Sequence, residues 1–162
     1  MLPEETLAQA GRLLERLQSR GLTLATAESC TGGLIAAALT AIPGSSATVL
    51  AGFVTYSNEA KTAMLGVPAP VIAAAGAVSE ETARAMAEGA LERSGADLAV
   101  SVTGIAGPGG AVPGKPVGTV WFGLARRGRP VRALRHVFPG DRGAVRAATV
   151  AEALRLLDEA AA

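Results

Sequence analysis

The hydrophobic residues of this 162-residue chain alternate between helical spacing and short continuous runs. The first helix is predicted over residues 2–20, where one face carries Leu7, Ala10, Leu14 and Leu17. Apolar, β-branched runs predict strands over residues 22–27, 47–56, 96–102, 117–125 and 131–138. Helical patterns follow over residues 34–42, 57–65, 79–93 and 145–157. The alanine-rich residues 68–77 are left unassigned.

This alternation of strands and helices is typical of an α/β protein. Residues 126–130 form a short polar turn, so the last two strands are expected to pair as an antiparallel hairpin. The expected architecture is a three-layer α/β/α sandwich with a mixed, mostly parallel sheet that ends in this hairpin. Because no internal repeat or linker interrupts the pattern, residues 1–162 are expected to form one domain.

Composition narrows the class of protein. Hydrophobic residues make up 49% of the chain and aromatic residues only 3%, which predicts a globular core built from alanine, valine, leucine and isoleucine. No apolar run approaches the ~18 residues of a membrane span, and the acidic N-terminus does not resemble a signal peptide. A net charge of +1 gives no reason to expect nucleic-acid binding. The single cysteine fits a cytoplasmic protein, and one cysteine with one histidine predicts neither a metal site nor a cofactor.

Residues 25–33 form the stretch around which the chain is organised. A buried strand ends there and a buried helix begins, and the turn between them contains two hydroxyls, a thiol and two glycines: Ser29, Cys30, Thr31, Gly32 and Gly33. Open α/β sheets place their sites at such turns, where free amides favour a phosphate or an oxyanion. The alternative is structural: Ser29 or Thr31 caps the helix, and the glycines serve packing.

A second glycine-rich stretch, residues 103–110, follows another buried strand. If the two strands are parallel, both turns lie at the same edge of the sheet and line one crevice. Neither turn matches a phosphate-binding or dinucleotide-binding fingerprint, so the glycines alone do not predict a cofactor.

A nucleophilic Ser29 would need a base. His136 is the only histidine, and it lies within a predicted strand far from the glycine turns, where a structural role is the simpler interpretation. Lys115 lies in a loop and is interpreted as a solvated charge. Lys61 follows Tyr56 at a strand-to-helix junction, and a desolvated lysine can lose its proton whereas an arginine cannot. The sequence leaves open a Ser-Tyr-Lys site, or a solvated lysine beside an ordinary core tyrosine.

Six blocks of sequence, in order along the chain, resemble the CinA C-terminal domain family. They are ESCTGG at residues 28–33, GFVTYSNEAK at 52–61, GAVSEE at 76–81, TGIAGPGG at 103–110, KPVGTVW at 115–121 and GDR at 140–142. The resemblance extends from Leu7 to Leu157. It implies an amidohydrolase that converts nicotinamide mononucleotide and water to nicotinate mononucleotide and ammonia. Larger relatives carry an additional N-terminal domain.

The resemblance also implies residue roles: Ser29 as nucleophile, with Tyr56 and Lys61 completing the catalytic site. Lys61 would take the serine proton, and backbone amides of Cys30, Thr31, Gly32 and Gly33 would stabilise the oxyanion. Thr103 and Gly104 would form the opposite wall of the crevice. Arg142 is a candidate for a different reason, because it lies in the first turn of the last helix, where a cation opposes the helix dipole. A substrate phosphate bound there would relieve that conflict, or else Arg142 is a surface residue paired with Asp141 or Glu152.

Three further alternatives remain. The chain could be a nucleotide-binding or competence- and damage-related interaction module without turnover. Cys30 could be the nucleophile, although no histidine is placed to hold its thiolate. The low aromatic content and an alanine-rich surface helix favour a homo-oligomer, with a dimer expected.

Overall fold

The computed structural model describes residues 2–162 as a five-stranded sheet with helices on both faces. The helices are α1 (Glu4–Ser19), α2 (Leu34–Thr40), α3 (Asn58–Leu65), α4 (Ala69–Ala75), α5 (Glu80–Ser94) and α6 (Arg142–Ala160). The strands are β1 (Leu24–Glu28), β2 (Val49–Val54), β3 (Leu98–Gly104), β4 (Thr119–Arg126) and β5 (Arg132–Val137). A short 3₁₀ turn, Ser45–Ala47, precedes β2.

The strand order is β2-β1-β3-β4-β5. Strands β2 and β3 both run parallel to β1, whereas β4 is antiparallel to β3 and β5 is antiparallel to β4. The predicted α/β architecture and its terminal hairpin are therefore confirmed. The parallel half of the sheet brings the carboxyl ends of β1, β2 and β3 to one edge, which is the arrangement that the two glycine-rich stretches required.

The two faces of the sheet differ in the size of their side chains. Helices α1, α2 and α6 cover one face, where Leu24, Val100 and Phe122 contribute to a core of large apolar residues. Helices α3, α4 and α5 cover the other face, which is lined by small residues such as Ala27 and Ala99. Small side chains allow α5 to approach the sheet closely, which explains how a chain with few aromatic residues fills its interior.

The structure corrects several details of the sequence-based prediction. The unassigned residues 68–77 contain helix α4, and Thr103 and Gly104 are the last residues of β3, so they do not begin a loop. The β1–β2 register shifts between Leu24 and Ala25, opposite Leu50. A side chain at Gly52 would contact the Ala36 Cβ at 3.2 Å, so this glycine lets α2 approach β2.

No helix within residues 2–162 is both long and apolar enough to cross a membrane. Among the same residues, no three histidine, cysteine, aspartate or glutamate side chains come together where they could hold a metal ion.

Candidate active site

A cavity of about 230 Å³ lies at the carboxyl ends of β1, β2 and β3. Its lining includes residues from five separate parts of the chain: Ser29, Cys30, Tyr56, Lys61, Ala77, Val78, Thr103, Gly104, Ala106 and Arg142. The expectation that the two glycine-rich stretches line one crevice is therefore confirmed. The cavity is smaller than the ~300–1,000 Å³ typical of pockets that enclose a whole drug-sized ligand.

Ser29 follows the last residue of β1, and the sheet fixes its backbone. Its amide donates to the carbonyl of Val102 on β3 at 3.0 Å, and its own carbonyl accepts from the Gly32 amide at 3.0 Å. Gly32 and Gly33 both adopt positive φ, 59° and 107°, which glycine reaches without steric penalty. The turn therefore doubles back tightly and leaves the Ser29 hydroxyl beside the cavity.

The carboxylate of Glu28 determines how the following helix begins. It is buried and accepts hydrogen bonds from the Thr31 hydroxyl at 2.5 Å and from the amides of Ile35 and Ala36 at 2.9 and 3.0 Å. Neither Ser29 nor Thr31 caps α2, so that structural interpretation is wrong. Because the Glu28 carboxylate already accepts from these amides, the N-terminus of α2 is not free to bind another anion.

Amides within the turn remain for that purpose. Within residues 2–162, no backbone carbonyl accepts a hydrogen bond from the amides of Cys30 and Thr31, whereas the Gly32 amide donates to the Ser29 carbonyl inside the turn. Arg146 of α6 supports the turn from below by donating to the carbonyls of Cys30 at 3.1 Å and Thr31 at 3.3 Å.

Lys61 lies on the first turn of α3 and is only 1% exposed. Its Nζ lies 3.1 Å from the Ser29 Oγ, and it also donates to the carbonyls of Thr55 at 2.8 Å and Tyr56 at 3.3 Å. Burial lowers the pKa of Lys61, because the charged ammonium loses its hydration. The structure thus brings together two of the three predicted catalytic residues.

Two carbonyl acceptors suit the neutral form of this amine. A neutral amine has two N–H bonds and one lone pair. If the two N–H bonds point to the carbonyls of Thr55 and Tyr56, the lone pair remains for the Ser29 hydroxyl proton. A fully protonated ammonium would instead donate to the Ser29 hydroxyl oxygen as well as to the two carbonyls, and it could not accept the serine proton.

Tyr56 contacts Lys61 through its backbone carbonyl, and the residue as a whole is 63% exposed. The phenol bonds to Arg142, whose guanidinium donates to the Tyr56 hydroxyl at 3.1 Å and to the Gly107 carbonyl at 2.9 Å. Arg142 therefore spans the mouth of the cavity and does not pair with Asp141, which instead caps α6 by accepting from the Ala144 amide.

Cys30 and His136 have no apparent part in this chemistry. Burial raises the pKa of the Cys30 thiol to about 11, which keeps it protonated near neutral pH. His136 is placed away from the cavity, where it bonds to Glu152 at 3.1 Å and stacks on Phe138.

Similarity to known proteins agrees with the resemblance noted in the sequence. The family model described as the CinA C-terminal domain matches residues 6–161. The chain belongs to the CinA C-terminal domain family. A CinA-like protein of Citrifermentans bemidjiense is 62% identical over 143 residues, which cover 88% of this chain and 34% of that protein. A CinA-like protein of Akkermansia muciniphila is 56% identical, over 86% of this chain and 35% of that protein. The chain thus spans about a third of the length of these curated relatives.

Solved structures of the family share the fold along their whole length. The competence/damage inducible protein CihA of Agrobacterium tumefaciens superposes with a TM-score of 0.94 at 49% identity, covering 97% of this chain and 96% of that protein. A CinA superfamily protein of Escherichia coli gives a TM-score of 0.91 at 39% identity, covering 98% of this chain and 94% of that protein.

Sequence reasoning missed two residues that build the site. Glu28 belongs to the ESCTGG block, and a carboxylate at the end of a buried strand was a signal that it must have partners. Arg146 lies one helical turn after Arg142, but its partners are about 115 residues away along the chain, so no local pattern could have indicated them.

Proposed function

We propose that this chain is an amidohydrolase that hydrolyses the carboxamide of nicotinamide mononucleotide, giving nicotinate mononucleotide and ammonia. The substrate comes from the family resemblance. The observation that carries the reaction type is the contact between the buried Lys61 amine and the Ser29 hydroxyl, 3.1 Å apart. A serine beside a lysine of lowered pKa is a nucleophile with its base, the pairing that covalent hydrolysis of an amide requires.

In the first half-reaction the Ser29 Oγ attacks the carboxamide carbon while its proton moves to the Lys61 Nζ. The C=O electrons move onto oxygen and form an oxyanion. The amides of Cys30 and Thr31, which donate to no backbone carbonyl, are the candidates to stabilise it. The Lys61 ammonium then returns the proton to the leaving nitrogen. The C–N bond breaks, ammonia departs, and an ester remains on Ser29.

In the second half-reaction water replaces ammonia in the cavity. Lys61 takes a proton from this water as it attacks the ester carbon, and the Ser29 oxygen leaves with that proton. The free carboxylate is the product. The Tyr56 carbonyl orients Lys61 in both half-reactions. The Tyr56 hydroxyl accepts a hydrogen bond from Arg142 and so helps to hold that guanidinium at the mouth of the cavity.

The size of the cavity suits one part of the substrate inside it and the rest at its mouth. A space of about 230 Å³ can take the flat ring with its carboxamide, leaving the ribose and phosphate at the mouth. Arg142 is exposed there, and its guanidinium can exchange the neutral Gly107 carbonyl for a phosphate oxygen.

The first test compares two adjacent side chains in an assay of ammonia release from nicotinamide mononucleotide. Ser29→Ala should lower kcat by about 10³-fold or more, because it removes the nucleophile. Cys30→Ala should retain most of the activity, since its protonated thiol only fills space. Activity lost with Cys30→Ala and kept with Ser29→Ala would refute the serine mechanism. A wild-type protein that binds the nucleotide without releasing ammonia would favour the binding module.

The second test concerns the phosphate. Arg142→Ala should raise KM for the mononucleotide about 10-fold or more with little change in kcat, because it removes a charge-assisted hydrogen bond made equally in ground and transition states. Turnover of nicotinamide riboside, which lacks the phosphate, should be unaltered. Tyr56→Phe is the matched control, because it removes the partner hydroxyl and keeps the guanidinium. Equal losses on both substrates would show that Arg142 does not bind the phosphate.

A further inference from the structure

Two of the six sequence blocks that resemble the family, GAVSEE and KPVGTVW, contribute no residue to the proposed chemistry, yet they meet beside the cavity. The first block follows the last residue of α4, Ala75, and leads into α5. Residues 75–78 are here called the 75–78 segment. Ala77 and Val78 of this segment line the cavity, and both are half-buried. The segment therefore contributes an apolar wall to the same cavity that Ser29 and Lys61 line.

Side chains from three parts of the chain hold this segment by its carbonyls. The Gly76 carbonyl accepts from the hydroxyls of Ser79 at 2.8 Å and Thr82 at 2.7 Å, both at the start of α5. The Ala77 carbonyl accepts from the hydroxyl of Thr103, at the end of β3, at 2.8 Å. These bonds fix the second half of the segment to its immediate surroundings.

The first half depends on Lys115, which lies in the connection between β3 and β4. Its Nζ donates to the carbonyl of Ala75 at 2.8 Å, across 40 residues of chain. Gly76 has a φ of +88°, and a Cβ built there would lie 2.9 Å from the Lys115 Nζ. The ammonium is therefore packed closely against the backbone of the segment, and the prediction of a solvated charge is wrong.

The surroundings offer Lys115 other partners that it does not use. Glu80 and Glu81 line a groove on the outer side of α4 that Lys115 also lines. Yet within residues 2–162 no carboxylate lies within 4.0 Å of the Lys115 ammonium. Glu80 instead pairs with Arg84 at 2.9 Å. Lys115 therefore bonds to the neutral Ala75 carbonyl although acidic side chains are nearby, which indicates that its position serves the contact with that carbonyl.

We propose that Lys115 is a positioning residue for the carboxamide substrate. By holding the 75–78 segment, it keeps Ala77 and Val78 as a rigid apolar wall against the flat ring that carries the carboxamide. The ring touches this wall before and during the reaction, so the contact contributes to binding in both states. This inference rests on the proposed function.

The kinetic test compares Lys115→Met, which keeps the length of the side chain without a donor, with Lys115→Arg, which keeps a donor. Lys115→Met should raise KM for nicotinamide mononucleotide about 10-fold, change kcat less than about 3-fold, and leave the pH profile unaltered. Lys115→Arg should restore KM to within about 3-fold of the wild type. Arg129→Met, a loss of one positive charge in the exposed β4–β5 turn, is the matched control for charge alone.

The riboside separates the wall from the phosphate site. Because the wall faces the ring, Lys115→Met should raise KM by the same factor for the riboside and for the mononucleotide. A rise confined to the mononucleotide would mean that Lys115 binds phosphate and would overturn the proposal. An unchanged KM, or an arginine variant as poor as the methionine variant, would overturn it as well.

Hydrogen–deuterium exchange tests the anchor without any activity. Amides of peptides covering residues 75–78 should exchange faster in Lys115→Met than in the wild type, and Lys115→Arg should restore their protection. Unchanged exchange would overturn the proposal even if KM rose. A wild type that releases no ammonia would refute the proposed function, whereas the exchange measurement would still decide whether Lys115 holds the segment.

Discussion

The two lysines of this chain each donate to a backbone carbonyl at 2.8 Å, but their surroundings differ. Lys61 is fully buried, and its amine also lies 3.1 Å from the Ser29 hydroxyl. Lys115 is half-buried in a connection between strands, and its bond is to the Ala75 carbonyl. The chain otherwise uses arginine for its cations, 13 of the 15 basic residues.

The difference teaches what each position requires of its side chain. At Lys61, burial penalises the charge, and two carbonyls leave a lone pair free for a proton. At Lys115, only a donor is needed. The first position therefore requires a group that can lose its proton, whereas the second requires one that can donate, and arginine satisfies only the second.

Arginine substitution at both positions gives the largest expected contrast. Lys61→Arg should lower kcat for ammonia release about 10²–10⁴-fold, nearly as much as Lys61→Ala, because arginine cannot accept the Ser29 proton near neutral pH. Lys115→Arg should stay close to the wild type. A Lys61→Arg variant with wild-type kcat would mean that only a positive charge is needed and that another group is the base.

The pH dependence of kcat/KM sharpens the same contrast. Only neutral Lys61 can accept a proton, so the rate should fall as the pH drops and the amine becomes charged. Because burial lowers the pKa of Lys61, this acid limb should lie below the ordinary lysine range. Lys115→Met should shift the height of the curve and leave its acid limb in place. An acid limb that moved with Lys115→Met would break the division between base and anchor.

The predictable half of the site came from local pattern and topology. Apolar runs predicted a strand that ends before Ser29 and another that ends at Tyr56, and β1 and β2 lie side by side in parallel. Neighbouring parallel strands place their ends together, so Lys61, on the first turn of the helix that follows β2, reaches Ser29. The same reasoning brought Thr103 and Gly104, at the end of β3, into the lining of the cavity.

What the sequence did not indicate are contacts between distant segments. The bond of the Tyr56 hydroxyl to Arg142 joins the β2–α3 connection to α6, and that of Lys115 joins the β3–β4 connection to α4. Side-chain direction at such junctions depends on how whole elements pack, which periodicity does not specify. A lysine between glycine and proline therefore suggested only a solvated charge.

The smallest expected effect is on stability, and it follows from proton linkage at Lys61. In the unfolded chain the lysine takes up a proton below its ordinary pKa of about 10.4, whereas in the folded protein burial lowers that pKa. Unfolding therefore binds a proton between the two values. The Lys61 contribution should make the free energy of unfolding of the wild type fall as the pH decreases through this window, by up to about 1.4 kcal/mol per pH unit. Below the lowered pKa this contribution should become constant.

Lys61→Met removes this titration and serves as the comparison. The stability of Lys61→Met relative to the wild type should rise as the pH decreases from about 10.4 and become constant once Lys61 is charged in both states. Chemical denaturation across that range measures the difference. Lys115→Met keeps Lys61 and should keep the wild-type slope from that residue. Parallel curves for the wild type and Lys61→Met would mean that the folded protein does not disfavour the Lys61 charge, and the proposed base would lose its physical support.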